Sequence, residues 1–247
     1  MSKLAIIGGT GLDTLEGLKE VEHQSLETPY GTLSSPIRMG SLQGRTIYFL
    51  PRHGSGHTVP PHKVNYRANI WALKEAGIDT IIAINAVGGI SEEMAPGTIS
   101  IPDQLIDYTW GRSSTYFEDG LEHVTHIDFT DPFCEGLRHK LISTAQRYEI
   151  PFVDRGTFAV TQGPRLESRA EIVRLERDGC ELVGMTTMPE AALAREQEIC
   201  YASIAVVANW AAGKSDEEIT MAIIEQNLLS GMERVRMLLE RIVVELN

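Results

Sequence analysis

Thr80-Ile81-Ile82-Ala83-Ile84-Asn85-Ala86-Val87-Gly88-Gly89 is the stretch that decides the fold. From Thr80 to Asn85 it is a continuous apolar run, the pattern of a strand covered on both faces in a parallel sheet. The small residues from Asn85 to Gly89 then read as a turn at the strand's end. Just upstream, Asn65 to Ala76 is an amphipathic helical pattern with Ile70, Trp71 and Leu73 toward a core and Gly77 as its stop. A helix feeding a buried strand is the unit of an α/β fold.

Other segments repeat the theme. Strands are expected at Lys3–Ile7, Thr46–Leu50, Gly156–Val160 and Ala202–Ala208, with shorter pieces at Thr98–Ile101 and Leu105–Tyr108. Helices are expected at 133–148, 169–178 and 228–246, and Asp216 is a cap candidate for a helix over 217–226. Leu182-Val183-Gly184 stops at Met185-Thr186, after which Thr187-Met188-Pro189-Glu190 has the capping-box spelling with proline in the first turn. The free N–H groups of that helix start make Thr186 a place for an anion such as phosphate.

The chain has 247 residues, and no repeat, low-complexity tract or linker divides it, so residues 1–247 are expected to form one domain. A net charge of −12 argues against nucleic acid or an anionic membrane as partner. Cys134, Cys180 and Cys200 are odd in number and widely spaced, which suggests neither a disulfide framework nor a metal site and suits a reducing cytoplasm. Neither a signal peptide nor a membrane span is legible, and a soluble cytoplasmic protein is expected.

The strand ends carry the chemistry. Gly8-Gly9-Thr10-Gly11 lets backbone N–H groups converge on an anion, with Thr10 adding a hydroxyl. Pro51-Arg52-His53-Gly54 supplies a planar guanidinium fork suited to phosphate and a histidine able to donate a further hydrogen bond. Ligands of open α/β sheets bind beyond the C-terminal strand ends, so Thr10, Arg52, Asn85 and Thr186 are expected to meet in one crevice. Competing motifs fail on spacing: a dinucleotide turn lacks its third glycine at Thr14, and Gly213-Lys214-Ser215 lacks the P-loop glycine at Ala208. His53, His57 and His62 fit no helical metal motif, and His123, His126 and Asp128 read either as a metal-like group or as surface hydrogen-bonding residues. Glu167 is either a functional carboxylate or a helix-start charge.

Taken in order, IIGGTGLD, RHG, NYRANIWALKEAG, GPRLESRAE, GMTTMPEAALARE and ICYASIAVVAN resemble the trimeric purine nucleoside phosphorylase and methylthioadenosine phosphorylase family over nearly the whole chain. The resemblance implies a three-layer αβα fold with a mixed central sheet and a homotrimer. It implies phosphorolysis of a purine nucleoside to free base and pentose 1-phosphate, with phosphate as co-substrate and no metal or organic cofactor. By the same resemblance Thr10, Arg52, His53, Asn85, Ala86 and Thr186 form the phosphate set, although Asn85 stands where the methylthioadenosine branch usually has threonine. Met185 is expected under the ribose.

The base pocket is expected to decide the substrate. The methylthioadenosine branch holds its base through aspartates after the last strand and a serine in the GPRFSSRAE segment. This chain has Asn209-Trp210-Ala211 and Leu166-Glu167 instead, resembling the glutamate and asparagine of 6-oxopurine phosphorylases. A carboxylate at Glu167 accepts the N1–H of hypoxanthine or guanine and repels the N1 lone pair of adenine. Asn209 offers its amide to O6 and its carbonyl to N7 as the base departs, so Glu167 and Asn209 are the expected catalytic pair. At the other end Met221 and Ile224, in Ile219–Ile224, put apolar groups where a histidine would meet a 5′-hydroxyl, and His126 of a neighbouring copy is expected nearby. The combination points to S-methyl-5′-thioinosine; inosine or guanosine, and methylthioadenosine, are the alternatives.

Overall fold

The computed structural model describes residues 2–12, 14–15, 17–216 and 218–246, apart from the side chains of Glu20, Val21 and Met221. Among them, in chain order, are β1 (Leu4–Gly8), β2 (Lys19–Gln24), β3 (Ile37–Leu42), β4 (Arg45–Pro51), α1 (Tyr66–Glu75), β5 (Thr80–Gly89), β6 (Ile99–Ser100), β7 (Gln104–Asp107), α2 (Glu135–Arg147), β8 (Thr157–Val160), α3 (Arg169–Arg177), β9 (Leu182–Gly184), α4 (Thr187–Glu196), β10 (Cys200–Trp210) and α5 (Met221–Glu245). The strands form one mixed sheet in the order β2-β3-β4-β1-β5-β9-β8-β7, with β10 beside β5 and β6 beside β10.

Strand alternation builds the three layers. On β5, Ile81 and Ala83 join the core under α1 and α4, whereas Ile82 and Ile84 join the core under α2 and α5. Helices therefore cover both faces of a mixed α/β sheet, as the resemblance implies.

The edges of β5 explain where an opening can form. One edge pairs with β10 from Thr80 to Gly89. The other pairs with β1 only from Thr80 to Ala83, and with β9, antiparallel, only at Gly88 and Gly89. Between them, no strand among the described residues pairs with 84–87 on that side. The sheet is thus split into a β2-β3-β4-β1 wing and a β9-β8-β7 wing that share β5.

Four local expectations need correction. Asn85 to Gly89 is strand, not turn, because Gly88 and Gly89 pair with both β9 and β10. The capping box at Thr187–Glu190 is absent: Met188 is extended (φ −111°, ψ 136°), and the Glu190 carboxylate is drawn away to Arg52. Asp216 does not cap the last helix; Thr220 does, accepting from the Ile223 N–H, while Glu217 lies outside the described residues. Cys134 and Cys200 are joined in a disulfide across 66 residues, contrary to the reading of three separate thiols, because the start of α2 and the start of β10 lie side by side, with the Cys134 N–H donating to the Tyr201 carbonyl at 2.8 Å. The small strands β2 and β3 carry no strong apolar pattern and were not expected.

Candidate active site

A cavity of about 520 Å³ opens where β5 lacks a partner. The β1 wing contributes Gly9, Thr10, Arg52 and His53; the β9 wing contributes Glu167, Met185 and Thr186; Ala86 and Asn209 come from the shared strands. Gly9 is small by necessity, since a Cβ there would stand 2.6 Å from the Ile84 carbonyl and 2.9 Å from Arg52 Nη1.

Arg52 is fully buried. Its Nε and Nη2 donate to the two carboxylate oxygens of Glu190, each at 2.7 Å, and Nη1 donates to the Ile84 carbonyl at 3.0 Å. Tyr201 adds a hydroxyl donor to Glu190 at 2.8 Å. Burial alone would lower the guanidinium's pKa, but the Glu190 carboxylate outweighs it and holds the cation above its ordinary range. With three of five N–H donors engaged in the core, Arg52 keeps two for a ligand.

His53 departs from its expected role. Its Nδ1 meets the Val59 carbonyl at 2.8 Å, so Nδ1 must carry the proton, and the neutral ring offers Nε2 as an acceptor rather than a donor. Burial, then the neighbouring Arg52 cation, pushes its pKa down to about 4, against a smaller upward pull from Val59. Such a ring can take a hydrogen bond from a P–O–H group. His57 stands beside it, ring centroids 4.5 Å apart, with Nε2 3.4 Å from the Thr10 hydroxyl.

Asn85 does not line the cavity. It lies behind Thr186, donating Nδ2 to Thr186 Oγ1 at 2.8 Å and accepting from Ser203 Oγ at 2.9 Å. Because Thr186 Oγ1 already accepts there, its own proton is left to point elsewhere, and Thr186 lines the cavity. Sequence reasoning missed Glu190, Tyr201 and Ser203, whose partners on other elements give no local signal.

At the other end, Glu167 is no helix cap. Ser168 caps α3 with Glu171 completing the box. Glu167 instead accepts from Thr161 Oγ1 at 2.6 Å, and burial raises its carboxyl pKa in spite of that hydrogen bond. Asn209 follows a bulge in β10, where the register shifts between Val207 and Asn209. The bulge lets consecutive residues Ala208 and Asn209 face one cavity, which regular alternation forbids. Asn209 Nδ2 donates to the Trp210 carbonyl at 2.7 Å.

Leu166, Ala211 and Ile224 also line the cavity, with Ile219 beside Ile224. Trp210, the last residue of β10, does not line it. His126 is exposed on the long loop before α2 and touches no part of this cavity. The side chain of Met221 lies outside the described residues. Among the described residues, no group of three or more His, Cys, Asp or Glu is placed to hold a metal ion, and no helix is long and apolar enough to cross a membrane.

Comparisons with known proteins agree with this architecture. The sequence profile of the Phosphorylase superfamily matches residues 3–244. A protein of Pseudomonas syringae pv. tomato described as a probable S-methyl-5′-thioinosine phosphorylase is 56% identical, over 98% of each chain. The 6-oxopurine nucleoside phosphorylase of Pyrococcus furiosus is 46% identical over 89% of this chain and 84% of its own. The methylthioadenosine phosphorylase of Schistosoma mansoni, solved with adenine, superposes with a TM-score of 0.95 at 34% identity, covering all of this chain and 92% of that one. With a divided sheet, a cavity at the division and a family match along nearly its whole length, this chain belongs to the Phosphorylase superfamily.

Proposed function

We propose that the protein phosphorolyses a 6-oxopurine nucleoside, with S-methyl-5′-thioinosine and phosphate giving hypoxanthine and 5-methylthioribose 1-phosphate. The carrying observation is that Glu167 and Asn209 line one cavity with Arg52 and Thr186. Phosphate sits on Thr10, Arg52, Thr186 and the Ala86 backbone, with His53 accepting its P–O–H and Asn85 acting from behind. A phosphate oxygen bonds to C1′ while the C1′–N9 bond breaks and its electron pair passes to the base; the base takes up a proton at N7 beside the Asn209 carbonyl, matched by the P–O–H proton that hydrogen phosphate gives up through solvent on becoming the sugar phosphate dianion. Glu167 accepts the N1–H of the lactam. Adenine would turn a lone pair to that carboxylate, and a reversed hydrogen bond in a dry pocket costs about 1–3 kcal/mol, on the order of tenfold to a hundredfold in selectivity.

The names of the Pseudomonas and Pyrococcus relatives support the 6-oxopurine preference. For the 5′ end, Ile219 and Ile224 offer apolar contact to a methylthio group, worth about 1 kcal/mol; Met221 opens the same helix. Met185 and Leu166 flank the ribose and base, Ala211 closes the base end, and Trp210 presents its backbone to Asn209. The reading needs no metal or organic cofactor, and residues 1–247 act as one domain.

We infer also that the working unit is a homotrimer in which His126 of one copy completes the 5′ end of another, and that it works in the cytoplasm. Sedimentation at micromolar concentration checks the first. Alkylation on acid quenching and unfolding of intact cells checks the second: a reducing compartment leaves three reduced cysteines to be labelled, whereas a standing Cys134–Cys200 bond leaves the buried Cys180 alone. The central experiment is a substrate panel varying base and 5′ group independently, with and without phosphate. Methylthioinosine should release hypoxanthine fastest, and only with phosphate. Faster release from inosine would replace the 5′ assignment, and faster release of adenine from methylthioadenosine would overturn the base assignment.

A further inference from the structure

The loop between β7 and α2 sends one side chain, Arg112, back beneath the cavity wall. A guanidinium has five N–H donors, and here each finds an acceptor. Nε reaches Gln162 Oε1 at 3.1 Å; Nη2 reaches the carbonyls of Gln162 at 2.9 Å and Thr161 at 3.3 Å; Nη1 reaches the carbonyls of Met185 at 2.8 Å and of Met188. Those five acceptors are amide oxygens and a sixth, 3.5 Å from Nη1, is the Tyr66 hydroxyl, so the arginine is used for its planar fork rather than for pairing with a carboxylate. Its cation lies 5.5 Å from the centroid of the Tyr66 ring, and the Tyr66 hydroxyl is tied to the carbonyl of Pro61, itself a wall residue.

What the fork joins is specific. Thr161 is the residue that donates to Glu167, and Gln162 continues the same loop. Met185 and Met188 bracket Thr186, which lines the other end of the cavity. The two segments already meet where β8 and β9 end, the Thr161 N–H donating to the Gly184 carbonyl at 2.8 Å, and past that point Arg112 ties Thr161 and Gln162 to Met185 and Met188 through one side chain. We propose that Arg112 is a positioning residue that sets the distance between the base-reading loop 161–167 and the ribose and phosphate turn 185–188. The assignment rests on the phosphorolysis reading above.

A local structural prop and a spacing device make different demands. If Arg112 sets spacing, each half of the site still binds its own ligand when the arginine is altered, but the two are misaligned, and a shift of about 1 Å costs on the order of a hundredfold in rate. Arg112→Lys keeps the charge and can serve at most three acceptors. Arg112→Ala leaves room for a free guanidinium ion. For both variants, hypoxanthine and inorganic phosphate are titrated separately by calorimetry, kcat is measured with nucleoside and phosphate saturating, and Tm is recorded. The expected result is dissociation constants within about threefold of the parent, kcat lower by about a hundredfold, and at least partial return of Arg112→Ala activity with guanidinium but not ethylammonium chloride.

Unchanged kcat, absence of guanidinium rescue, or a parallel fall of Tm and both affinities in Arg112→Lys would each overturn the assignment. If Arg112→Ala does not fold, the lysine variant alone decides through the same separation of binding from turnover. Failure of the unaltered protein to turn over any nucleoside with phosphate is a different outcome: it removes the functional reading itself.

Discussion

The two wings of the sheet hold their functional side chains in opposite ways. On the β1 wing, Arg52 is wholly inside the protein and fastened by three hydrogen bonds, two of them to a buried carboxylate. On the β9 wing, Glu167 sits in a loop, fastened by Thr161, next to a Leu166 that is 45% exposed. In the proposed reaction the first meets inorganic phosphate, which never varies, and the second meets the base, which does. A fixed ligand can be served by groups built into the core, whereas discrimination is placed where a residue can change without collapsing the sheet.

The largest effect should come from Arg52→Ala. It strands Glu190 in the core, a loss of about 3–5 kcal/mol expected for breaking a buried pair, and it should raise the phosphate requirement steeply; urea unfolding and phosphate saturation measure the two. A stability loss no greater than that of a surface substitution would break the contrast. Asn209→Asp should move preference toward 6-aminopurines by about tenfold to a hundredfold, with a much smaller change in unfolding free energy. Paired kcat/KM values for 6-oxo and 6-amino substrates check it, and an unchanged ratio would remove Asn209 from base recognition.

Acidity sharpens the comparison further. Glu167 must be ionised to accept N1–H, and its pKa is raised, so the acid limb of kcat/KM for the 6-oxopurine should lie above the ordinary carboxylate value of about 4.3. Below it, the neutral acid can donate to N1 of a 6-aminopurine, and the oxo-to-amino ratio should fall. The stability contribution runs the opposite way: a raised folded pKa favours the fold fully below the unfolded value, and that contribution is lost as pH rises through the folded one, where activity is gained. Glu167→Gln should abolish both dependences. The smallest effect is expected from Ser203→Ala, which removes the donor to Asn85 behind Thr186. It should raise KM for phosphate about fivefold, near 1 kcal/mol, while leaving KM for the nucleoside unaltered.

The elements with strong local patterns were readable before any coordinates. Asn65 to Ala76 gave a helix because its apolar spacing, its asparagine cap and Gly77 agree, and the structure has Asn65 accepting from Ala68 N–H. Thr80 to Asn85 gave a buried strand because nothing polar interrupts it. What failed were features decided at long range. Glu190 has a capping-box position, yet a guanidinium 138 residues away in sequence claims it. Gly88 and Gly89 look like a turn, yet strands on both sides keep them extended. Cys134 and Cys200 are unremarkable in sequence and adjacent in space. Most of the proposed site residues line the cavity, but Asn85 stands one layer behind it and His126 faces solvent, because neither burial depth nor the identity of a neighbouring chain is written in local spacing.

The interrupted edge of β5 has a consequence for the empty and loaded protein. Two wings share a single central strand, and the space between them holds no backbone ladder to lock their relative angle. A nucleoside and phosphate lying across that space would touch both wings at once and act as the missing crosspiece. Substrate would then do for the middle of the sheet what a strand does elsewhere, stiffening the very joint whose alignment the chemistry requires.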